Sequence, residues 1–388
     1  MKIAILTTDN RENFREYTKP APYFGTAPEA LLQGFAALPE VEVHVLACAQ
    51  RAMASPGKLA DNIWFHSLSV PKIGWMRTGY QGCIRAIRRK LKEIRPDIVH
   101  GQGTERDCAI SAVFSGFPNV VTIHGNMAEL ARLFKAPIGS FYWLAAQLEN
   151  FTLRRTAGVF GNSVYTEALV RPRARRVWRV PNALQRDFFT AVPAGVRPCI
   201  LLNVGVITPR KRQLELLEMA QALHRQGLKF ELHFIGRANP AETYAAAFIE
   251  RLKPLEAAGC ARHLGELPPG ELIRHFDAAS GLVHFPSEEA FGLVVAEALA
   301  RDLKFFGSRL GGIIDIAEDA PGAELFAGDD QTGLTEAVAR WIQQGHTRPQ
   351  AAAVMCQRYH PLVVARRHVE IYREVLNILT GMRINLCS

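Results

Sequence analysis

The sequence predicts an α/β protein built from two doubly wound domains. The chain has 388 residues, and at roughly 100–200 residues per domain that length favours two domains. Strand-like and helix-like segments alternate along it, which is typical of parallel sheets with helices on both faces. The alternation occurs twice, on either side of an aperiodic segment at 182–198 that contains Pro193, Gly195 and Pro198.

The first half of the chain opens with a short apolar strand at Lys2–Leu6. Helical spacing indicates helices at 28–38 and 77–94, and the second stops before Pro96. Short strands are expected at the other apolar segments, which are 41–47, 97–99, 119–123, 158–160 and 176–180. We expect residues 1–182 to form the N-terminal domain.

The second half repeats the pattern after a linker at 183–198. Strands are expected at 200–204, 229–235, 262–264, 281–285, 304–306 and 323–326. Helices are expected at 213–226, 241–258, 269–278, 293–300 and 334–344. Residues 199–360 form the predicted second domain, and a C-terminal helix at about 361–388 is expected to pack back on the first. Ligands of such sheets bind at the carboxyl ends of the strands, so we expect both sets of loops to line one central cleft.

The composition is that of a globular protein, with 48% hydrophobic and 21% charged residues. No apolar run reaches the roughly 18 residues that a membrane-spanning helix needs. The N-terminus becomes polar too quickly for a signal peptide, so we expect a cytoplasmic location. Seven scattered cysteines without a Cys-x-x-Cys pair favour reduced thiols over a disulfide framework or zinc site.

The net charge of +9 favours anionic partners. The charge is concentrated at 85–95 and 171–179, which are interpreted as a solvated helix face and a basic loop, or as a surface that docks on an anionic membrane. Nucleic-acid binding is disfavoured because these stretches lack interleaved aromatic residues.

The strongest motif lies at 287–298, which reads Ser-Glu-Glu-Ala-Phe-Gly-Leu-Val-Val-Ala-Glu-Ala. It follows an apolar strand and opens a helix, so its backbone amides are expected to form an anion site at a helix N-terminus. Glu289 and Glu297 suit sugar and ribose hydroxyls, because carboxylate oxygens accept charge-assisted hydrogen bonds. The amides in question are those of Phe291, Gly292 and Leu293.

Two further motifs follow strands. Residues 203–211 read Asn-Val-Gly-Val-Ile-Thr-Pro-Arg-Lys, where Gly205 ends a strand. Arg210 and Lys211 are expected in the loop after it, where cations can neutralise a diphosphate leaving group, with a solvated Arg-Lys pair as the alternative. His124, followed by a glycine, ends a strand of the first half and is a candidate active-site residue, although a lone histidine is more often structural.

Weaker signals complete the candidate site. Gly25, in the loop after the first strand, allows backbone amides to face a phosphate, with an ordinary turn glycine as the alternative. Gly312 belongs to a Gly-Gly pair after the strand at 304–306. Gly236 ends a strand, and Arg237 is interpreted either as a base or phosphate contact or as a solvent-facing residue.

These motifs resemble the retaining GT-B glycosyltransferases of the group-1 (GT4) family, over nearly the whole chain. That family has a Glu, then Phe-Gly-Leu, then a second Glu, with seven residues between the glutamates (E-x7-E). The resemblance implies that Glu289 meets the transferred sugar, Glu297 the ribose, Lys211 and Gly312 the diphosphate, and His124 the donor sugar. The chain departs from the family at Val206, where an Arg is usual, and at 302–305, where relatives read Gly-x-Pro-Val.

The resemblance implies that residues 1–182 are the acceptor-side domain and that residues 199–360 are the domain that binds the nucleotide-sugar donor. It also implies a retaining, hexosyltransferase-type enzyme that uses a nucleoside-diphosphate sugar such as a UDP-sugar. Its acceptor is expected to be a glycan, a lipid-linked or a small molecule of cell-envelope polysaccharide biosynthesis. No Asp-x-Asp occurs, so we expect neither a metal nor another cofactor. The protein could also contact the inner face of the cell membrane peripherally. Residues 127–155 are interpreted either as a pair of core helices or as a lipid-facing surface that binds the acceptor. The alternative functions are a sugar-nucleotide epimerase and a non-catalytic sugar-nucleotide-binding protein.

Overall fold

The computed structural model describes residues 1–191 and 198–387, with side chains as far as residue 380. The chain divides into two units, one formed by Met1–Gln185 with Tyr359–Ser388 and the other by Arg186–Arg358. Residues 192–197 of the predicted linker lie outside the described residues. The rest of the linker is folded, since Ala183 is buried in the first unit and Arg186–Phe189 form a 3-10 turn of the second.

The first unit contains an eight-stranded sheet in the order β3-β4-β2-β1-β5-β6-β7-β8. All its strand pairs are parallel except β3 with β4. The strands are β1 (Lys2–Leu6), β2 (Glu42–Ala49), β3 (Lys58–Ala60), β4 (Ile63–Ser69), β5 (Ile98–Gln102), β6 (Asn119–Ile123), β7 (Gly158–Gly161) and β8 (Val177–Arg179). The central strands are almost wholly buried, as in sheets covered on both faces.

The helices of this unit connect consecutive strands. They are α1 (Asn10–Phe14), α2 (Thr26–Ala36), α3 (Gln81–Ile94), α4 (Asp107–Val113), α5 (Met127–Leu133), α6 (Phe141–Leu153) and α7 (Val164–Val170). The C-terminal helix, α15 (Pro361–Cys387), packs on α2 and adds Val364, Val369 and Tyr372 to the core. Gly34 permits this contact, because a Cβ there would overlap the carbonyl oxygen of Pro361.

The second unit contains a six-stranded, wholly parallel sheet in the order β11-β10-β9-β12-β13-β14. Its strands are β9 (Ile200–Val204), β10 (Glu231–Ile235), β11 (Ala261–His263), β12 (Gly281–His284), β13 (Lys304–Ser308) and β14 (Ala323–Phe326). Its helices are α8 (Gln213–Arg225), α9 (Thr243–Ala257), α10 (Pro269–Ala278), α11 (Leu293–Ala300), α12 (Gly311–Ala317), α13 (Gln331–Gln343) and α14 (Ala352–Tyr359).

Both sheets have the strand order of a Rossmann-type fold, so the prediction of two doubly wound α/β domains is confirmed. Strand order reverses between β1 and β5 in the first unit and between β9 and β12 in the second. Ligands of such sheets bind outside the carboxyl ends of the strands at these switch points. Among the described residues, no helix combines the length and the apolar character needed to span a bilayer.

Two details of the first unit differ from expectation. Strands β3 and β4 at 58–69 were not predicted, because β4 alternates buried with partly exposed residues and so does not form an apolar run. The predicted helix at 77–94 begins only at Gln81, because Gly79 and Tyr80 both have positive φ angles, of 60° and 59°. Left-handed backbone at two successive residues cannot continue an α-helix.

Candidate functional site

The switch point of the second unit brings the two strongest motifs together. The loop after β9 makes a 3-10 turn at Pro209–Lys211, and the loop after β12 leads into α11. The amide of Ser287 donates to the carbonyl oxygen of Arg210 at 2.8 Å, which bonds the two loops directly. Residues that are almost eighty positions apart in sequence therefore share one edge of the sheet.

Lys211 and Glu289 form the centre of this site. The Lys211 Nζ lies 2.5 Å from the Glu289 Oε2, and each side chain is only 14% exposed. Burial by itself would raise the pKa of Glu289, but the Lys211 ammonium and the His284 ring outweigh it and hold that pKa well below its usual range. The site therefore contains a buried carboxylate and a buried ammonium in contact, a strongly polar arrangement.

Arg210 binds beside this pair but has a partner of its own. Its Nη1 donates to the carbonyl oxygen of Glu288 at 2.9 Å and to the Glu288 Oε2 at 3.1 Å. Burial raises the pKa of Glu288, and Arg210 opposes that rise. Arg210 therefore braces the loop that carries Glu289, and its predicted contact with a diphosphate remains a prediction.

Glycines shape the backbone around the charged pair. A Cβ at Gly236, where φ is +144°, would overlap the carbonyl oxygen of Gly205, so β9 and β10 can end side by side only with glycine there. Gly292, with φ +96°, is the N-cap of the eight-residue helix α11. Phe291 beside it is buried and Leu293 half-buried. The predicted helix N-terminus is thus present, with amides suited to an anion.

Glu297 lies on α11 and is 6% exposed. Burial raises its pKa to about 7, so near neutral pH the carboxyl is poised between its two protonation states. Its predicted contact with a ribose remains a prediction.

Gly312 and Arg237 occupy less direct positions. The Gly312 amide was predicted to contact a diphosphate. In the structure this amide donates to the carbonyl oxygen of Glu289 at 3.0 Å and so supports the Glu289 loop. Arg237 is exposed, and its carbonyl oxygen accepts from the Ile207 amide at 3.0 Å.

In the first unit, His124 follows β6 and its Nε2 lies 2.8 Å from the Oε1 of Gln102. Burial lowers the pKa of His124 to about 4, so the ring is neutral near pH 7. Because Gln102 Oε1 is an acceptor, Nε2 carries the ring proton and Nδ1 is the acceptor. His124 and Gln102 are therefore joined by a hydrogen bond between two neutral side chains.

Gly25 is the N-cap of α2, with φ −69° and ψ 155°. This is ordinary extended backbone, and nothing within 3.5 Å would crowd a Cβ. The backbone conformation therefore does not require glycine at position 25. The remaining argument for the predicted phosphate contact is that a residue without a side chain lets a ligand approach the backbone amides.

Two side chains at strand ends escaped the sequence analysis. His284 closes the apolar strand β12 and contacts Glu289, and Gln102 closes β5 and contacts His124. A polar residue at the last position of a buried strand is the signal that could have identified both.

Comparisons with known proteins cover both units. Residues 186–353 match the family model described as "Glycosyl transferases group 1", and residues 25–183 match the "Glycosyl transferase 4-like domain". A sequence search of curated proteins found no match.

Several solved structures share the fold at low sequence identity. Sucrose-phosphate synthase from Thermosynechococcus elongatus superposes with a TM-score of 0.75 at 16% identity, covering 97% of this chain and 100% of that one. Anabaena HepE, in complex with UDP and glucose, gives 0.69 at 17% identity over 96% and 99% of the two chains. The lipopolysaccharide outer core galactosyltransferase WaaB in its apo form gives 0.68 at 15% identity over 96% and 100%.

Proposed function

Since this chain belongs to the group-1 glycosyl transferases and is a nucleotide-sugar glycosyltransferase, we propose that it transfers a hexose-type sugar with retention at the anomeric carbon. The proposed donor is a UDP-sugar, a choice supported by the UDP and UDP-glucose complexes of the similar Anabaena protein. The proposed acceptor is a glycan, a lipid-linked or a small molecule of cell-envelope polysaccharide biosynthesis.

The observation that carries this proposal is the 2.5 Å contact between Lys211 and Glu289 beside the N-terminus of α11. A sugar diphosphate presents two kinds of group, hydroxyls that donate to a carboxylate and phosphate oxygens that accept from cations and amides. The pair provides one partner for each, at the switch point where ligands of this fold bind.

The proposed reaction proceeds on one face of the sugar. The bond between the anomeric carbon and the diphosphate oxygen breaks while the acceptor hydroxyl bonds to the same face of that carbon, and the leaving diphosphate takes the hydroxyl proton. Lys211, Arg210 and the amides at the start of α11 stabilise the charge that develops on the diphosphate. Glu289 orients the sugar and Glu297 the ribose, while His124 is proposed to contact the donor sugar.

A screen of UDP-, GDP- and ADP-sugars with purified protein tests the transfer reaction. We expect hydrolysis of one donor, and transfer once an acceptor extract is added, with the anomeric configuration of the product read by NMR. Donor binding without transfer to any extract would instead indicate a binding protein, and a changed sugar on the nucleotide would indicate an epimerase.

We further propose that the reaction needs no metal ion, because Lys211 and Arg210 supply positive charge at the leaving group. Turnover should be unchanged after dialysis against EDTA. A loss of activity that Mg²⁺ or Mn²⁺ restores would contradict this part of the proposal.

A second surface supports a peripheral contact with an anionic membrane. Between Glu129 and Glu149 the sequence contains no acidic residue. The segment 132–142 in that interval contains Arg132 and Lys135 and exposes five large apolar side chains: Leu133, Phe134, Ile138, Phe141 and Tyr142. Ile138 is 86% exposed. Arg132 pairs with the Glu129 carboxylate, and Lys135 adds a second cation beside the apolar side chains. Apolar side chains next to cations suit a surface that inserts at the headgroup level of acidic lipids.

One of the two basic stretches singled out in the sequence, residues 171–179, is partly engaged in ion pairs within the first unit. Arg173 binds the buried carboxylate of Glu149 at 2.8 Å, and Arg171 pairs with Glu167 on the same helix end. Part of the charge at 171–179 is therefore structural.

Co-sedimentation with phosphatidylglycerol-containing vesicles tests the membrane surface. We expect Ile138→Asp to weaken binding about tenfold or more, since it removes apolar burial and adds a negative charge. Ile73→Asp is the matched control, because Ile73 is 81% exposed but lies outside the segment. Equal effects of the two substitutions, or no binding by the wild type, would contradict the assignment.

A further inference from the structure

His284 occupies the last position of β12 and is fully buried beneath the Lys211–Glu289 pair. Its Nε2 lies 3.3 Å from the Oε2 of Glu289. The Lys211 Nζ contacts that same oxygen. Both donors therefore act on one oxygen of Glu289, and among the described residues no side chain donates to the other oxygen, Oε1.

The ring of His284 carries no charge near neutral pH. Burial, and next to it the Lys211 ammonium, lowers the pKa of His284 to about 4. A neutral imidazole has one N–H, and only Nε2 can donate it to Glu289. The Nδ1 atom, which is buried, has no hydrogen-bond partner among the described residues. His284 is thus a fixed donor that adds no positive charge to the site.

We propose that His284 is a positioning residue, which holds Glu289 toward the donor sugar when Lys211 turns to the diphosphate. This inference rests on the proposed function. A diphosphate attracts the Lys211 ammonium away from Glu289, because it carries more negative charge than one carboxylate. The neutral His284 has no such competing attraction, and it is anchored in a strand. It keeps Oε2 in place and leaves Oε1 free to accept from a sugar hydroxyl.

The second unit offers a matched pair of groups away from the candidate site. His233, on β10, is also buried, and its Nε2 lies 2.9 Å from the Oε2 of Glu231. Its Nδ1 likewise has no partner among the described residues, and burial lowers its pKa. Glu231 begins β10, at the edge of the sheet opposite to the strand ends that carry the motifs. A purely structural histidine–glutamate contact should behave as this one does.

The test compares His284→Leu, His284→Gln and His233→Leu. Dissociation constants for UDP and UDP-glucose are measured separately, together with kcat and thermal unfolding. We expect His284→Leu to leave the affinity for UDP within about twofold and to lower kcat and the preference for the sugar-bearing donor by roughly 10- to 100-fold, the range for a hydrogen bond to a charged group.

The conservative variant and the control separate positioning from folding. His284→Gln restores an N–H donor and should recover most of the loss. His233→Leu should lower the unfolding temperature as His284→Leu does, without changing kcat or donor preference. An equal loss of UDP and UDP-glucose affinity in His284→Leu, or no effect on either kcat or preference, would overturn the proposal.

A readout that needs no turnover keeps the two proposals distinct. Carbon-13 NMR of labelled glutamate, with the Glu289 signal identified by its absence in Glu289→Gln, follows the titration of this carboxyl. His284→Leu should raise the pKa of Glu289, since one of the donors that lower it is lost. A raised pKa in a protein that transfers no sugar would refute the proposed function but not the contact. An unchanged pKa would refute the role of His284 whatever the activity.

Discussion

The strand ends of the two units place polar residues in different electrostatic settings. In the second unit, Lys211 and Glu289 are both charged and in contact. In the first, His124 and Gln102 form a neutral pair. Both pairs follow buried parallel strands, so the fold alone does not set the difference.

Under the proposed function, the two sites bind different parts of the substrates. A diphosphate brings two or more negative charges, and the Lys211 ammonium can offset part of them once it turns from Glu289 to the ligand. Hydroxyl groups of a sugar or acceptor require only donors and acceptors, and neutral groups provide these without the desolvation cost of a charge. The comparison predicts that charge changes matter most in the second unit and hydrogen-bond geometry in the first.

Replacing Lys211 is the largest test of this comparison. We expect Lys211→Met to lower kcat/KM by ~10²–10³-fold, because it removes a cation from the leaving group. It also leaves Glu289 buried without its partner, which should destabilise the second unit by ~3–5 kcal/mol. Steady-state kinetics and urea unfolding measure the two effects.

The matched control is Lys253→Met, which breaks an exposed Lys–Glu pair with Glu250 on α9. Exposed pairs contribute little, so kcat/KM should stay within about twofold of the wild type. If Lys211→Met behaves like Lys253→Met, the charged character of the second site has no functional meaning.

Glu297 sharpens the comparison, since it is a carboxyl of the second unit without a cation beside it. Its pKa rises from about 4.5 to about 7 through burial. The folded state therefore binds more protons than the unfolded state between these values. Its contribution to stability is present below pH 4.5 and is lost, by up to ~3 kcal/mol, as the pH rises through 7.

Unfolding by urea at several pH values checks the sign. Glu297→Gln should flatten the decline between pH 4.5 and 7, whereas Glu250→Gln on an exposed helix face should not. If Glu297 receives ribose hydroxyls as a carboxylate, donor affinity should rise over the same range in the wild type alone. A stability that increases with pH because of Glu297 would contradict the raised pKa.

Much of this arrangement follows from local sequence. The buried strands, the glycine before α11 and the Glu289 and Lys211 motifs each leave a signal within a few residues, so the fold and most of the second site were predictable. The contact of Arg210 with Glu288 and the Gly312 bond to Glu289 were not, because they join segments far apart in the chain. The roles of His284 and Gln102 were not predictable, because each depends on a contact with a residue of another segment, Glu289 and His124 respectively.

In the first unit, Gln102 tests hydrogen-bond geometry. Gln102→Leu leaves the N–H of His124 without its acceptor in a buried place, and we expect kcat/KM to fall by ~5- to 30-fold, equivalent to about 1–2 kcal/mol. Gln102→Glu keeps an acceptor but adds a charge, which should raise the pKa of His124 above about 4. Proton NMR of the ring follows that change. A wild-type rate in Gln102→Leu would mean that the orientation of His124 does not matter.

The smallest expected effect on kcat is that of replacing Tyr372. This residue of the C-terminal helix α15 ends a chain of polar contacts that runs from His124 through Gln102 and His100. Its hydroxyl lies 2.5 Å from the Nδ1 of His100, and the Nε2 of His100 lies 2.7 Å from the Thr122 Oγ1. All three side chains are buried. Burial holds the pKa of His100 well below its usual range, so the ring is neutral, with one nitrogen that donates and one that accepts.

Tyr372→Phe removes the hydroxyl that pairs with the His100 Nδ1 and should lower the free energy of unfolding of the first unit by ~1–2 kcal/mol. The amide nitrogen of Gln102 lies 3.4 Å from both ring nitrogens of His100, so it can donate to whichever of them is unprotonated and draw the Gln102 side chain slightly from His124. We therefore expect kcat to fall by no more than about threefold, since the chain has a substitute donor. A tenfold loss of kcat in Tyr372→Phe with unchanged stability would show that the neutral chain from α15 to His124 acts in the reaction. The two units would then differ in the charge of their sites, while both would depend on exact hydrogen-bond geometry.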